Sequence, residues 1–213
     1  MIDRVRLSRR RLLGGAVVVG AVWALARPIA ANAAVDEPAA LVDAFYATLL
    51  DAMKRGPELG FEGRYQLIDP SLSQTFDVAT MCRIAVGPDW TAMSGEKKGE
   101  LLLTFHRYIV TTYAARFRSF VGQRFAIGEL KEAGEGRMLL ATQLIRSNGE
   151  MVELNYLFRN HDGAWRVIDI YLAGAISQMA QMRAEFAQSL RAGGADALMA
   201  SLEQKILDLK KEA

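Results

Sequence analysis

Residues 162–190 read DGAWRVIDIYLAGAISQMAQMRAEFAQSL, and a change of period inside this stretch decides the fold. Residues 165–172 form a mostly apolar run of strand length. Ala173-Gly174-Ala175 then interrupts it with small side chains. Beyond the break, Ile176, Met179, Ala180, Phe186, Ala187 and Leu190 share one helical face. A strand that feeds an amphipathic helix folded back over its own sheet makes one wall of an apolar cavity.

Working backwards from Trp165, the period of two persists. Asn160-His161-Asp162-Gly163 is a turn, and residues 151–159 before it place Val152, Leu154, Tyr156 and Phe158 on one face. Asn148-Gly149 is the strongest short-range hairpin signal in the chain. Residues 137–146 and 124–130, joined through Glu135-Gly136, complete four strands linked by short turns, which predicts an antiparallel meander.

Ahead of the strands the period is helical. Leu41, Val42, Phe45, Leu49 and Ala52 predict a helix over 41–53, ended by Gly56-Pro57. Residues 56–71 read as a loop or short irregular helix with apolar plugs. Asp77 can cap a helix over 78–86 that Gly87-Pro88 stops, with Trp90 in the following turn. Ser94 caps a long helix running to about residue 121, whose stripe includes Leu101, Phe105, Ile109 and Tyr113. At the other end of the chain, Gly193-Gly194 divides the last helix from its predecessor. The predicted class is α+β: N-terminal helices, a curved four-stranded antiparallel meander, and a C-terminal helix pair packing over the sheet.

The first 33 residues read as an export leader. Five arginines up to Arg11 precede an apolar run over 12–26, and Ala31-Asn32-Ala33 fits a signal-peptidase site. That run of 15 residues falls short of the ~20 that a membrane-spanning helix needs. Ser8 to Gly14, SRRRLLG, resembles the twin-arginine export pattern, and Arg27 after the apolar run suits that route. The leader holds six arginines and one aspartate, so its removal turns a formal charge of +2 into −3. The basic balance therefore belongs to the leader, which excludes a nucleic-acid partner for residues 34–213, expected to form a single domain. The lone Cys82 excludes an intramolecular disulfide and reads as a small buried hydrophobe.

Catalytic and metal-binding motifs are lacking in the sequence. No HExxH, CxxC, GxSxG, phosphate loop or dinucleotide fingerprint occurs, and His106 and His161 are not spaced as ligands. Neither a catalytic residue, a metal nor a cofactor is expected. Asp169 interrupts the apolar strand beside Val167 and Tyr171, and Arg183 interrupts the stripe of the following helix. Asp169 is expected to be a structural acceptor, paired with an Arg or with backbone N–H groups, and with Arg183 as the partner the two would brace strand to helix as a buried ion pair. An isolated buried carboxylate at position 169 would instead invite general-base chemistry.

The order of words over residues 165–205 is specific. A Trp-ended hairpin, an Asp-bearing strand, Gly174-x-x-Ser177, Arg183-x-x-Phe186 and Gly193-Gly194-x-Asp196-x-Leu198 follow one another. The chain resembles the MlaC-type lipid carriers, the toluene-tolerance auxiliary proteins of ABC transport systems. Residues 49–90, with TYAARF at 112–117, look like its hopanoid-biosynthesis-associated branch, HpnM. Met182 departs from the Tyr that phospholipid carriers commonly have before the Arg, which bears on the ligand.

The resemblance implies a cystatin-like roll and a soluble periplasmic carrier. It would hold the apolar part of a hopanoid or phospholipid between sheet and helices and ferry it between inner- and outer-membrane transport complexes. From periodicity, Phe105, Ile109, Leu154, Tyr156, Ile168, Ile176, Met179 and Met182 are expected to line the cavity. Two other readings compete: a small α+β-roll enzyme using Asp169 or His106 on a polycyclic lipid, and a lipid-free adaptor of a membrane complex.

Overall fold

The computed structural model describes residues 31–213, with side chains from residue 37 onward. The export leader predicted over residues 1–33 lies outside the described residues but for its last three, which open the first helix. The elements run α1 (Ala31–Lys54), α2 (Gly56–Thr75), α3 (Val78–Val86), α4 (Asp89–Ala92), α5 (Gly95–Arg116), β1 (Arg124–Glu132), β2 (Arg137–Ile145), β3 (Met151–His161), β4 (Ala164–Leu172), β5 (Ile176–Ser177) and α6 (Gln178–Glu212).

Local chemistry explains most boundaries. The Asp77 side chain accepts from Thr80 N–H at 2.8 Å and starts α3, and Ser94 accepts from Lys97 N–H at 3.2 Å and starts α5. Gly87, at φ 71°, ends α3 in the left-handed region. Helix α6 breaks at Gly193 and Gly194, so the two predicted C-terminal helices are its two arms.

Three helical boundaries differ from expectation. Helix α1 reaches back through Pro38, which removes one intrahelical hydrogen bond without ending the helix. Residues 56–71, read as a loop or short irregular helix, belong to the 20-residue α2, where Gly60 (φ 58°, ψ −170°) kinks the backbone and spoils the period. Helix α5 stops at Arg116, so residues 117–123 form a loop.

Arg64 holds these helices together at their ends. Its buried guanidinium donates to Ala114 O at 2.9 Å, Gly56 O at 3.2 Å and Ala213 O at 3.4 Å. Two of these carbonyls end helices, at the C-termini of α5 and α6, where the negative end of the macrodipole favours a cation.

The sheet is an antiparallel meander of five strands in the order β1-β2-β3-β4-β5, the two-residue β5 adding an edge to the four predicted. The β4–β5 turn puts Ala173 at φ 49° and Gly174 at φ 75°, with Ala175 N–H donating to Leu172 O at 3.2 Å. Two left-handed residues in succession are the signature of a type I′ hairpin.

A β-bulge in β4 matters more for the site. Phe158 faces Val167 while Leu157 faces Asp169, so Ile168 is the extra residue. The bulge shifts the facing by one, and Val167, Ile170 and Leu172 lie opposite Phe158, Tyr156 and Leu154. Simple alternation had put Val167, Asp169 and Tyr171 together.

Helices cover one face of the sheet. Asp77 N–H donates to Val167 O at 2.9 Å, and Arg159 on β3 bonds both Asp77 and Thr80 of the α3 start. The core joins Phe45 edge-on to Phe76 and Tyr113, at 5.1 and 5.2 Å between centroids.

Candidate functional site

Between the inner face of the sheet and the helices lies a cavity of about 560 Å³, within the range of small-molecule sites. The C-terminal half of α1 contributes Tyr46, Leu49 and Met53, that of α5 contributes Ile109 and Tyr113, and Phe117 follows at the start of the α5–β1 loop. Phe125, Leu144, Leu154, Tyr156, Ile170 and Leu172 come from the strands, each an inward position of the register. The first turns of α6 close the wall with Met179 and Met182, and Met81 enters from α3. Four of the nine methionines thus line one cavity, giving it a wall that re-forms around ligands of different shape.

The polar groups inside carry no charge near neutrality. Tyr46 hydroxyl shares a 2.5 Å hydrogen bond with Thr142 Oγ1, and its ring stacks on Phe125 at 3.9 Å. Burial pushes the Tyr46 phenol up to about 12 and raises those of Tyr113 and Tyr156 further. Charge enters only towards one end of the cavity, with Arg116 and Arg146 beside Gln123, Ser147 and Asn148. That end lies between the α5–β1 loop and the β2–β3 hairpin, whose Gly122 and Ser147 approach each other closely.

The structure gathers Ile109, Leu154, Tyr156, Met179 and Met182 around this cavity. Three other expected lining residues lie elsewhere. Phe105 is fully buried against Phe186, ring centroids 6.2 Å apart, in the α5–α6 interface. Ile168 is buried as the bulge residue and takes no part in the lining, because the bulge puts Val167 in its place on the face of Ile170 and Leu172. Ile176 stands exposed on β5, since α6 begins only at Gln178. Tyr46 escaped the sequence reading although Val42, Tyr46, Leu49 and Met53 form a second helical stripe beside the one that was read.

The expected Asp169–Arg183 brace does not form. Asp169 Oδ1 accepts from Ile170 N–H at 2.8 Å and Met179 N–H at 3.1 Å, and Oδ2 accepts from Ser177 Oγ at 2.5 Å. Ser177 Oγ in turn accepts from Ala180 N–H at 3.0 Å. Aspartate and serine together cap the N-terminus of α6, where a negative charge suits the dipole. Arg183 lies four residues beyond Met179, about 6 Å along the helix. There it donates through Nε and Nη2 to Ile84 O, at 2.9 and 2.6 Å, closing the C-terminus of α3. Each partner therefore serves a helix end. His106 pairs with Asp69 at 2.6 Å and does not line the cavity. His161 is exposed beside Asp162, and the Cys82 thiol is buried, which pushes it up to about 12. No cluster of ligand-type side chains able to hold a metal occurs among the described residues.

The family model described as MlaC protein matches residues 18–204. The chain belongs to the MlaC family. A solved structure with the same fold as this MlaC chain is that of the phospholipid-binding protein from Ralstonia solanacearum, in complex with a phospholipid. The two superpose with a TM-score of 0.71 at 22% identity, over 83% of this chain and 98% of that one. No curated protein matches the chain. Among the described residues, no helix of this MlaC-family member is long and apolar enough to cross a membrane.

Proposed function

We propose that this chain is a lipid-binding carrier of the periplasm, which takes the apolar part of a phospholipid or hopanoid into the cavity between sheet and helices. It would be exported by its leader and would hand lipid between inner- and outer-membrane transport complexes. The observation that carries the reading is the cavity: about 560 Å³, walled by aliphatic, aromatic and methionine side chains, with charge confined to one end. A methylene fills roughly the space of a water molecule, about 30 Å³, so there is room for some 18 of them. That equals one long acyl chain or much of a polycyclic skeleton.

The physical task is desorption. Each methylene drawn from a bilayer into water costs about 0.8 kcal/mol, so a 16-carbon chain costs roughly 13 kcal/mol. A carrier makes transfer feasible by replacing one apolar environment with another, and it needs no reactive group. The donors that occupy Asp169 and the placing of His106 away from the cavity favour binding over acid–base chemistry. The phospholipid bound by the Ralstonia solanacearum protein supports the same class of ligand. Met182 leaves the wall more yielding than a tyrosine would, which supports a polycyclic cargo beside a phospholipid.

The test is mass spectrometry of the organic extract of protein isolated gently from its native host. Near-stoichiometric phospholipid or hopanoid is the expected result. Protein recovered free of lipid, at full yield and correctly folded, would refute the reading.

A further inference from the structure

The end of the cavity that carries charge is also where the exposed apolar side chains gather. Phe120 (40% exposed) and Val121 (64%) lie in the α5–β1 loop, Met151 (61%) at the foot of the β2–β3 hairpin, and Ile176 (46%) on β5. The strand register brings the last two to the same end of the sheet as the loop, through Arg124 facing Ile145, Ile145 facing Met151 and Leu154 facing Leu172. Val121 itself lines the cavity.

The same loop is basic. Residues 116–124 read RFRSFVGQR, three arginines and no carboxylate, and Lys54 adds a fourth cation with its ammonium 5.4 Å from the Phe120 ring centroid. Arg118 bonds the Glu212 carbonyl, whereas Arg116 and Arg124 have no carboxylate partner among the described residues. The acids nearby include Glu150, already paired with Arg146 at 2.9 Å, Glu153 beside Gly174, Glu212 next to Arg118, and Asp51 and Glu58, both paired with Arg55. Residues 34–213 carry a formal charge of −3, so the positive end stands against a negative body, which orients the molecule in the field of an anionic surface.

We propose that this end of the molecule docks directly on an anionic lipid bilayer. Phe120, Val121, Met151 and Ile176 enter the headgroup–acyl boundary, the cations of residues 54 and 116–124 contact the lipid phosphates, and the cavity opens onto the membrane. Apolar side chains ringed by Arg and Lys are the composition that binds such an interface. A lipid would then pass between bilayer and cavity without crossing water. The proposal rests on the carrier reading for its purpose, but docking is measurable without it.

Vesicle co-sedimentation of the purified protein tests the idea, comparing phosphatidylcholine alone with phosphatidylcholine containing about a third phosphatidylglycerol. Binding is expected only to the anionic vesicles and should weaken with salt. Each mouth arginine neutralised should lower the partition coefficient roughly fivefold, and Phe120→Asp with Arg124→Glu should lower it more than tenfold. Leu103→Asp, at an apolar side chain on α5 that is 70% exposed and outside the cavity lining, should change nothing. A second readout does not depend on a charge change: a polarity-sensitive dye on Phe120→Cys should shift to the blue with anionic vesicles, and one on Leu103→Cys should not. Cys82, buried and with its thiol pushed up, stays unlabelled.

Failure to pellet with anionic vesicles, or equal losses from Leu103→Asp, overturns the proposal, and a mouth that ignores vesicles belongs to a protein partner. Lipid in the extract without vesicle binding leaves the carrier reading standing and sinks the docking. Vesicle binding without lipid in the extract does the reverse.

Discussion

Replacing Asp169 separates a helix cap from both an ion pair and a catalytic base. Oδ1 accepts two backbone amides, Ile170 and Met179, and Oδ2 accepts the Ser177 hydroxyl. Asp169→Ala leaves two amides in or near the buried region without an acceptor, at about 1–3 kcal/mol each, so roughly 2–6 kcal/mol is lost. Asp169→Asn keeps a carbonyl oxygen for both amides and strands only the serine hydroxyl hydrogen, for about 1–2 kcal/mol. In a domain of this size 1 kcal/mol moves Tm by about 2–4 °C, giving a fall of roughly 4–24 °C for alanine and 2–8 °C for asparagine.

Urea denaturation and thermal melts measure both, with lipid retention followed in parallel. Retention should fall with the loosening of α6, which carries Met179 and Met182. The double variant with Arg183→Ala should be additive to within about 0.5 kcal/mol, because the two side chains serve different helix ends. A coupling of about 3–5 kcal/mol would restore the ion pair. Equal costs for asparagine and alanine would show that the charge, and not the acceptor pattern, is what α6 needs. Either result refutes the cap.

Phe105→Ala should cost about 3–5 kcal/mol in chemical denaturation while the lipid held by the folded fraction stays the same, since this ring packs on Phe186 outside the cavity. Leu154→Ala, in the cavity wall, should do the opposite: a smaller loss of stability and an altered lipid profile by mass spectrometry. Stability should also fall above pH 10. The folded pKa of Tyr46, about 12, exceeds the unfolded value, so its contribution is complete below pH 10 and declines as pH rises towards 12. The loss for this one group is about 3 kcal/mol, and phenolate absorbance should rise together with unfolding instead of before it. Gly87→Ala should destabilise by more than about 1 kcal/mol, because position 87 sits at φ 71° and a Cβ would come within 3.2 Å of Arg183 Nε.

What could be read from the sequence was local. Helix α3 falls at 78–86 as Asp77 and Gly87 dictate, because a cap and a left-handed stop are decided within a few residues. The hairpins at Asn148-Gly149 and at residues 160–163 are equally local. Helix α2 was hidden because Gly60 and Pro70 interrupt its pattern, and because Arg64, a charge in a helix interior, earns its burial from carbonyls 50 and 149 residues away. The cavity wall was legible on α6 and β3, where periodicity survives. It was misread on β4 because a bulge is a property of the strand pair and leaves no mark in the pattern of one strand. The Asp169–Arg183 pairing failed for a related reason: opposite charges on neighbouring elements invite an ion pair, yet the helix termini competing for each of them lie nearer.

The bulge at Ile168 also determines where β4 can change length. Val167, Ile170 and Leu172 share the inward face of β4, the last two lining the cavity, and they share it only because one residue between Val167 and Asp169 goes uncounted by the partner strand. Deleting Ile168 would restore plain alternation and keep all three pointing inward. Removing a residue elsewhere in β4, with the bulge kept, would transpose part of the greasy wall to the outside of the sheet and bring a polar side chain into the cavity. Shortening by one residue is thus neutral in phase at a single point of this strand, and a lineage that loses or gains a residue here can keep its cargo space only by doing so at that point.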